Sequence, residues 1–214
     1  PDWSRGLGDV YKRQGVLYVV TGNGVDEGHL DLPKPDAPSF LAVDAQTGEL
    51  LWSDNSPGKY VMHGQWSSPS YAVFDGVPQV LFPGGDGWLY SFDPKGHQGK
   101  SKLLWKFDCN PKTAKWKIGG IGTRNTHITM PVIDGNHVFV ATGQDVEHGS
   151  GPGRLWCIDA TKNISGADVS PTLGFRRDGT AITSPRRFQA VDPSKDEYEV
   201  ANPQSALVWS YQQY

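Results

Sequence analysis

Short apolar runs, each closed by a glycine, recur along the chain at 15–22, 77–84 and 136–143. A second run follows each and stops on an aspartate, at Asp44, Asp93 and Asp159. A third element pairs two aliphatic residues with tryptophan: Leu50-Leu51-Trp52, Leu103-Leu104-Trp105 and, much later, Leu207-Val208-Trp209. The aspartates lie 49 and 66 residues apart and the tryptophans 53 and 104, near one and two periods of about 52 residues. A fixed period of that length marks an architecture of stacked repeats. Asp75-Gly76 and Asp134-Gly135 stand where a two-residue hairpin turn would enter the second and third copies, because Asp-Gly supplies the positive φ angles of a type I′ turn. Each unit therefore reads as a meander of four short antiparallel strands, the unit of a β-propeller blade. Gly or Pro interrupts every stretch that would place apolar residues at i, i+3, i+4 and i+7, so almost no helix is expected.

Charge narrows the partners. The chain of 214 residues carries 20 Lys and Arg against 23 Asp and Glu, a net charge of −3. With its basic residues scattered, it offers no electrostatic footprint for a nucleic acid or an anionic membrane surface. No apolar run approaches the roughly 18 residues of a membrane-spanning helix, and residues 1–14 show no apolar core of the signal-peptide kind. The 26 Gly and 16 Pro agree with a fold of turns and short strands. Two cysteines, Cys109 and Cys157, stand in no Cys-x-x-Cys pair, which excludes a four-cysteine zinc site and a c-type haem attachment. They form either one bridge or two small buried thiols, and the redox compartment stays open.

The run Ala42-Val43-Asp44-Ala45-Gln46-Thr47-Gly48-Glu49-Leu50-Leu51-Trp52 closely resembles the tryptophan-docking motif of the quinoprotein propellers. That motif of the pyrroloquinoline quinone (PQQ) repeat family is written Ala-x-Asp-x-x-Thr-Gly-x-x-x-Trp. In it Thr47-Gly48 turns the chain between two strands, and Trp52 presents a flat face to the neighbouring blade. The second copy, Asp93 to Trp105, carries four extra residues. The third, Asp159 to Trp209, is interrupted by a polar insertion from about 162 to 205, with Arg176-Arg177 and Arg186-Arg187, expected to be a mobile excursion. The expected fold is all-β, a quinoprotein-like β-propeller fragment of about three four-stranded antiparallel blades, near 15–60, 61–116 and 117–214. Three blades do not close a ring, so the rest of the propeller is expected to come from further blades of a parent chain. Residues 1–14 resemble adaptor-derived translation and are set apart as non-native.

The resemblance implies checkable chemistry. PQQ-dependent alcohol and sugar dehydrogenases hold the quinone over a calcium ion, and Thr21-Gly22-Asn23-Gly24 looks like their calcium-ligating segment. Asn23 is thus a candidate cofactor and metal ligand through its amide oxygen, set against the plainer reading of a turn residue between glycines. The general-base aspartate of such enzymes falls nearest Gln65 in Met62-His63-Gly64-Gln65-Trp66-Ser67, and Gln cannot take a proton near neutral pH. The cation that contacts the quinone falls near Gly85, in Gly84-Gly85-Asp86-Gly87-Trp88. The stacking tryptophan would fall upstream of Gly15. PQQ and calcium are therefore cofactors by resemblance only. The resemblance ranks a non-catalytic propeller first, a binding or scaffold module like the BamB-like outer-membrane assembly factors, periplasmic or secreted. Its partners would be proteins or a small ligand at the propeller face. A quinoprotein oxidoreductase is the alternative. The glycine-rich run 119–127, with Arg124, Asn125 and His127, reads first as a blade-to-blade crossover and second as a ligand contact; 144–149 and the polar loop of Asp26, Glu27, His29 and Asp31 are weak metal candidates.

Overall fold

The computed structural model describes residues 15–21, 24–28, 30–118, 122–144, 152–162 and 164–213. It is all-β. Among the described residues fifteen strands run in chain order as β1 (Val16–Val20), β2 (Phe40–Asp44), β3 (Leu50–Asp54), β4 (Ser70–Phe74), β5 (Val77–Pro83), β6 (Trp88–Phe92), β7 (Leu103–Asp108), β8 (Thr126–His127), β9 (Val132–Asp134), β10 (His137–Gly143), β11 (Gly153–Asp159), β12 (Ala167–Asp168), β13 (Thr172–Phe175), β14 (Tyr198–Ala201) and β15 (Leu207–Gln213). Among the described residues only two single 3-10 turns, Gly58–Tyr60 and Pro193–Lys195, are helical.

The strands form three successive antiparallel meanders. Sheet 1 is β1-β2-β3, sheet 2 is β4-β5-β6-β7 and sheet 3 is β15-β11-β10 with β8 and β9 both on β10. Sheet 1 has three strands among the described residues where the repeat predicts four. The sheets stack face to face. Tyr18, Phe40, Ala42 and Trp52 of sheet 1 meet Val80, Phe82, Tyr90 and Phe92 of sheet 2, with the Phe40 and Phe82 rings stacked at 4.6 Å. The opposite face of sheet 2, with Leu81, Leu89, Trp105 and Phe107, meets Val138, Val140, Trp156 and Ile158 of sheet 3. This explains why burial is unbroken along 88–92, Ser91 included, while it alternates along 137–143. All of β6 is buried because sheet 2 is covered on both faces, whereas β10 buries every second residue.

One hydrogen bond closes each repeat. The amide of the terminal aspartate donates to the carbonyl three residues before the tryptophan: Asp44 to Glu49 (2.8 Å), Asp93 to Lys102 (2.9 Å) and Asp159 to Ala206 (2.9 Å). In the first turn the Asp44 carboxylate accepts the amides of Gln46 and Thr47, both at 2.8 Å, and these bonds hold its pKa below the usual carboxylate range. The four extra residues of the second turn fold as a small hairpin closed between His97 and Lys100. The insertion occupies the same place in the third turn.

The insertion is not the mobile excursion its polarity predicts. From the turn end of sheet 3 it runs along the edge of sheet 2, where β12 pairs parallel with β7. Asn202 Nδ2 donates to the carbonyls of Asp168 and Ser170, and β13 and β14 form their own hairpin. Backbone hydrogen bonds and one buried ion-paired glutamate, Glu197 against Arg186 at 2.7 Å, hold it there together with the buried Val169 and Val191. The entry turns also differ. Asp75 and Gly76 both adopt positive φ, as a type I′ turn requires, but in the third copy Asp134 ends its strand and only Gly135 turns positive, shifting the turn by one residue to Gly135-Asn136. Cys109 and Cys157 are free and buried, so the bridge is absent.

Candidate functional site

Antiparallel pairing brings the connections 21–39, 55–69, 84–87 and 109–125 to one end of the stacked sheets, the loop end. Backbone contacts knit them together. Val25 N donates to the His63 carbonyl (2.8 Å), Met62 N to the Gly85 carbonyl (2.9 Å), and Gly85 N to Gln65 Oε1 (3.3 Å). The segments singled out by resemblance are thus neighbours in space: Gly24, Gln65 and Gly85 lie along one seam. Asn23 falls outside the described residues, as do Gly22, His29, 119–121 and 145–150, so its place as a calcium ligand stays an expectation.

Beyond Gly85 the seam becomes charged. Asp86 is wholly buried; its carboxylate accepts Tyr90 Oη–H at 2.6 Å and Trp88 N–H at 3.1 Å. Burial pushes its pKa up to about 7, against the opposing pull of Tyr90, Trp88 and Arg124. Arg124 is wholly buried as well. Its guanidinium donates to the Asp86 carbonyl (3.2 Å) and pairs with Asp108 (3.1 Å), which Lys112 Nζ meets at 3.2 Å from the other side. The Asp108 amide donates to Ser170 Oγ, and Lys112 reaches Asp168 at 3.7 Å, so this cluster also ties the insertion to sheet 2. Asn110 and Asn125 exchange two hydrogen bonds, Nδ2 to O at 3.0 Å and N to Oδ1 at 2.7 Å. His127 is buried beside Gly87 with no well-formed hydrogen bond to either ring nitrogen, and burial lowers its pKa to about 4.

Among the described residues, Gln65, Gly85 and Arg124 do not fit the contacts of a bound quinone. Gln65 Oε1 is occupied by the Gly85 amide, and its Nε2 is buried without a hydrogen bond. A Cβ on Gly85 would overlap the Gly64 carbonyl and come within 2.9 Å of Gln65 Cγ, so no lysine or arginine can replace it without moving the seam. Arg124 is the cation that reaches the residue beside Gly85, but Asp108 and the Asp86 carbonyl already hold it. Among the described residues no three His, Cys, Asp or Glu side chains gather as metal ligands, and no helix is long and apolar enough to cross a membrane.

The tryptophans of the repeats divide. Trp52 and Trp105 are buried; Trp52 Nε1 donates to the Pro94 carbonyl on sheet 2 (2.9 Å), and Trp105 Nε1 to Gln79 Oε1 (2.8 Å). Trp209 pairs in register with Cys157 but stays 43% exposed. Sequence reasoning missed the Asp86–Tyr90 and Asp108–Arg124–Lys112 contacts. The signal was present: an arginine inside a glycine-rich connection must find a carboxylate if it is buried, and Asp108 ends the strand that opens on that connection.

Around the charged seam the loop end also exposes large apolar side chains. Leu30, Trp66, Ile118 and Phe188 are 53%, 51%, 39% and 45% exposed, each from a different connection, and the insertion delivers the last: Trp116 N donates to the Phe188 carbonyl at 2.7 Å. No known family matches the chain, and no curated protein matches it in sequence. Among solved structures it is similar to a quinohemoprotein alcohol dehydrogenase from Pseudomonas putida, at 18% identity and a TM-score of 0.40, over 78% of this chain and 18% of that one. It is also similar to BamB from Moraxella catarrhalis, at 12% identity and a TM-score of 0.40, over 92% of this chain and 45% of that one. The chain spans less than half the length of either.

Proposed function

We propose that this chain is part of a PQQ-like repeat β-propeller that acts as a non-catalytic binding or scaffold module, with its loop end as the contact face for a protein partner. One observation carries the reading. At the loop end Gln65 Oε1 is taken up by the Gly85 amide and the Arg124 guanidinium by Asp108, both inside the seam, while Leu30, Trp66, Ile118 and Phe188 stand out into solvent. A catalytic site wants the reverse, polar groups free to meet a substrate and apolar walls behind them. Exposed aromatic and aliphatic side chains rimmed by polar residues suit a protein surface, where a buried aromatic contributes most of the binding energy. By the same resemblance the protein belongs in the bacterial periplasm or outside the cell.

The test is a titration of the chain with PQQ at millimolar calcium, following quinone absorbance and dye-linked oxidation of a primary alcohol together. No saturable binding and no turnover are expected. Stoichiometric binding with turnover would instead support a quinoprotein oxidoreductase, and Asn23→Ala would then abolish the calcium dependence.

A further inference from the structure

A second feature of the loop end lies on the side of sheet 2 facing sheet 1. There a cleft of about 570 Å³ opens between 35–36, the 55–60 connection, strands β6 and β7, and Pro185 of the insertion. Its size falls in the range of small-molecule sites, which run from about 300 to 1,000 Å³. The register that pairs Tyr90 with Lys106 sets both side chains on one face, and both line the cleft. Lys106 is a lysine on the face of a strand that otherwise packs against another sheet. Its Nζ rests over the Trp88 ring at 5.1 Å, and Lys59, across the cleft, lies over the Tyr60 ring at 5.5 Å. Among the described residues neither ammonium has a carboxylate within ion-pair distance, although Asp36 lies on the same rim. Ring faces offset part of the desolvation of an ammonium, but they do not neutralise it.

We propose that this cleft binds a small organic anion: a carboxylate, phosphate or sulfate group carried on a flat or short apolar body. The charged group meets Lys106 and Lys59, and the body lies against Tyr60, Leu103 and the Pro185 ring. Two cations against one carboxylate leave the cleft net positive, and the apolar surface between them favours an amphiphile over a bare inorganic ion. The cleft touches the seam through Tyr90, whose hydroxyl donates to Asp86, but no hydrogen bond links either lysine to Gln65 or Gly85, so the inference stands apart from the scaffold reading and either can fail alone.

Calorimetric titration of the full chain with phenyl phosphate tests it, with benzyl alcohol and inorganic phosphate as partial ligands. Saturable binding of phenyl phosphate is expected, weakening with added salt, with each partial ligand at least about tenfold weaker. Lys106→Gln should weaken binding by about tenfold or more and Lys59→Gln by a few-fold, with unchanged far-ultraviolet circular dichroism and thermal midpoint. Lys106→Arg keeps the charge and should retain most of the affinity, which separates lost charge from lost packing. Absence of binding to the unaltered chain, equal affinity for benzyl alcohol, or full affinity in Lys106→Gln would each overturn the proposal.

Discussion

Asp86, in the 84–87 connection, and His127, on β8, are both buried at the loop end, and burial moves their protonation equilibria in opposite directions. Asp86, raised from 3.8 to about 7, holds its proton in the folded chain at pH values where the unfolded chain has lost it. Its contribution to stability is present below pH 4 and is lost as the pH climbs towards 7. His127, lowered from 6.5 to about 4, stays neutral in the folded chain while the unfolded chain takes up a proton. Its contribution is present above pH 6.5 and is lost as the pH falls towards 4. Between those limits the two oppose each other, and only single variants expose them. Urea midpoints of Asp86→Asn and the unaltered chain, compared at pH 8 and pH 5, should show the unaltered chain gaining about 1 to 3 kcal/mol relative to the variant on acidification. For His127→Gln the sign reverses, the unaltered chain losing ground as the pH falls. A parallel pair of profiles in either comparison would show that the group titrates normally. Gly87 belongs to the same cluster for a steric reason. Its φ is +80°, and a Cβ there would overlap Asn110 Nδ2 and the Asn125 carbonyl, so Gly87→Ala should cost about 3 kcal/mol or more in a denaturant midpoint.

Between strands, Gln79 is the connecting residue. Trp52 reaches the carbonyl of Pro94, the residue after the aspartate of the next sheet, directly. Trp105 reaches the corresponding carbonyl of Ala160 through Gln79, whose Oε1 accepts Trp105 Nε1 (2.8 Å) and Ser91 Oγ (2.7 Å) while its Nε2 donates to Ala160 O (2.9 Å). Gln79→Ala strands three buried polar groups and should cost about 3 kcal/mol; Gln79→Glu keeps both acceptors but loses the donor and buries a charge, so it should be no better. Equal stability of Gln79→Leu and the unaltered chain would show the relay to be dispensable. The contrast between this residue and its neighbours marks what the sequence made legible. The apolar runs, the terminal aspartates and the Thr-Gly turn follow from local periodicity and turn chemistry, which depend on residues close in the chain. Gln79 inside an apolar strand carries no local signal of its role, because its three partners come from 91, 105 and 160. The docking of the insertion was hidden for the same reason: its partners, Asp108 and Lys112 among them, are some 60 residues away, and its own composition is that of a loop. Gln65 and Gly85 were legible as departures from a motif, but that they touch each other was not.

The stack of sheets leaves two faces that no described residue covers. On sheet 1 Tyr18 and Trp52 face inward, so the alternating Leu17, Val19 and Leu51 face out, 44%, 39% and 36% exposed. On sheet 3 the outer face carries Phe139 against Trp209 at 5.9 Å, with Trp209, Tyr211 and Val132 exposed by 43%, 57% and 62%. Both faces have the composition of the internal ones, where sheet 2 is buried from either side, and patches of that kind are removed from water by association when nothing else covers them. The chain should therefore associate in solution, with a sedimentation coefficient that rises over the micromolar range. Trp209→Ser with Tyr211→Ser should shift that rise to higher concentration by about tenfold without lowering the thermal midpoint, since neither side chain belongs to the inter-sheet cores. Lys106→Gln, at the loop end, should leave it unchanged. A single sedimenting species across the range, or association insensitive to the Trp209 and Tyr211 pair, would mean that these faces are not the sticky surfaces and that Leu30, Trp66, Ile118 and Phe188 at the loop end are the next to vary.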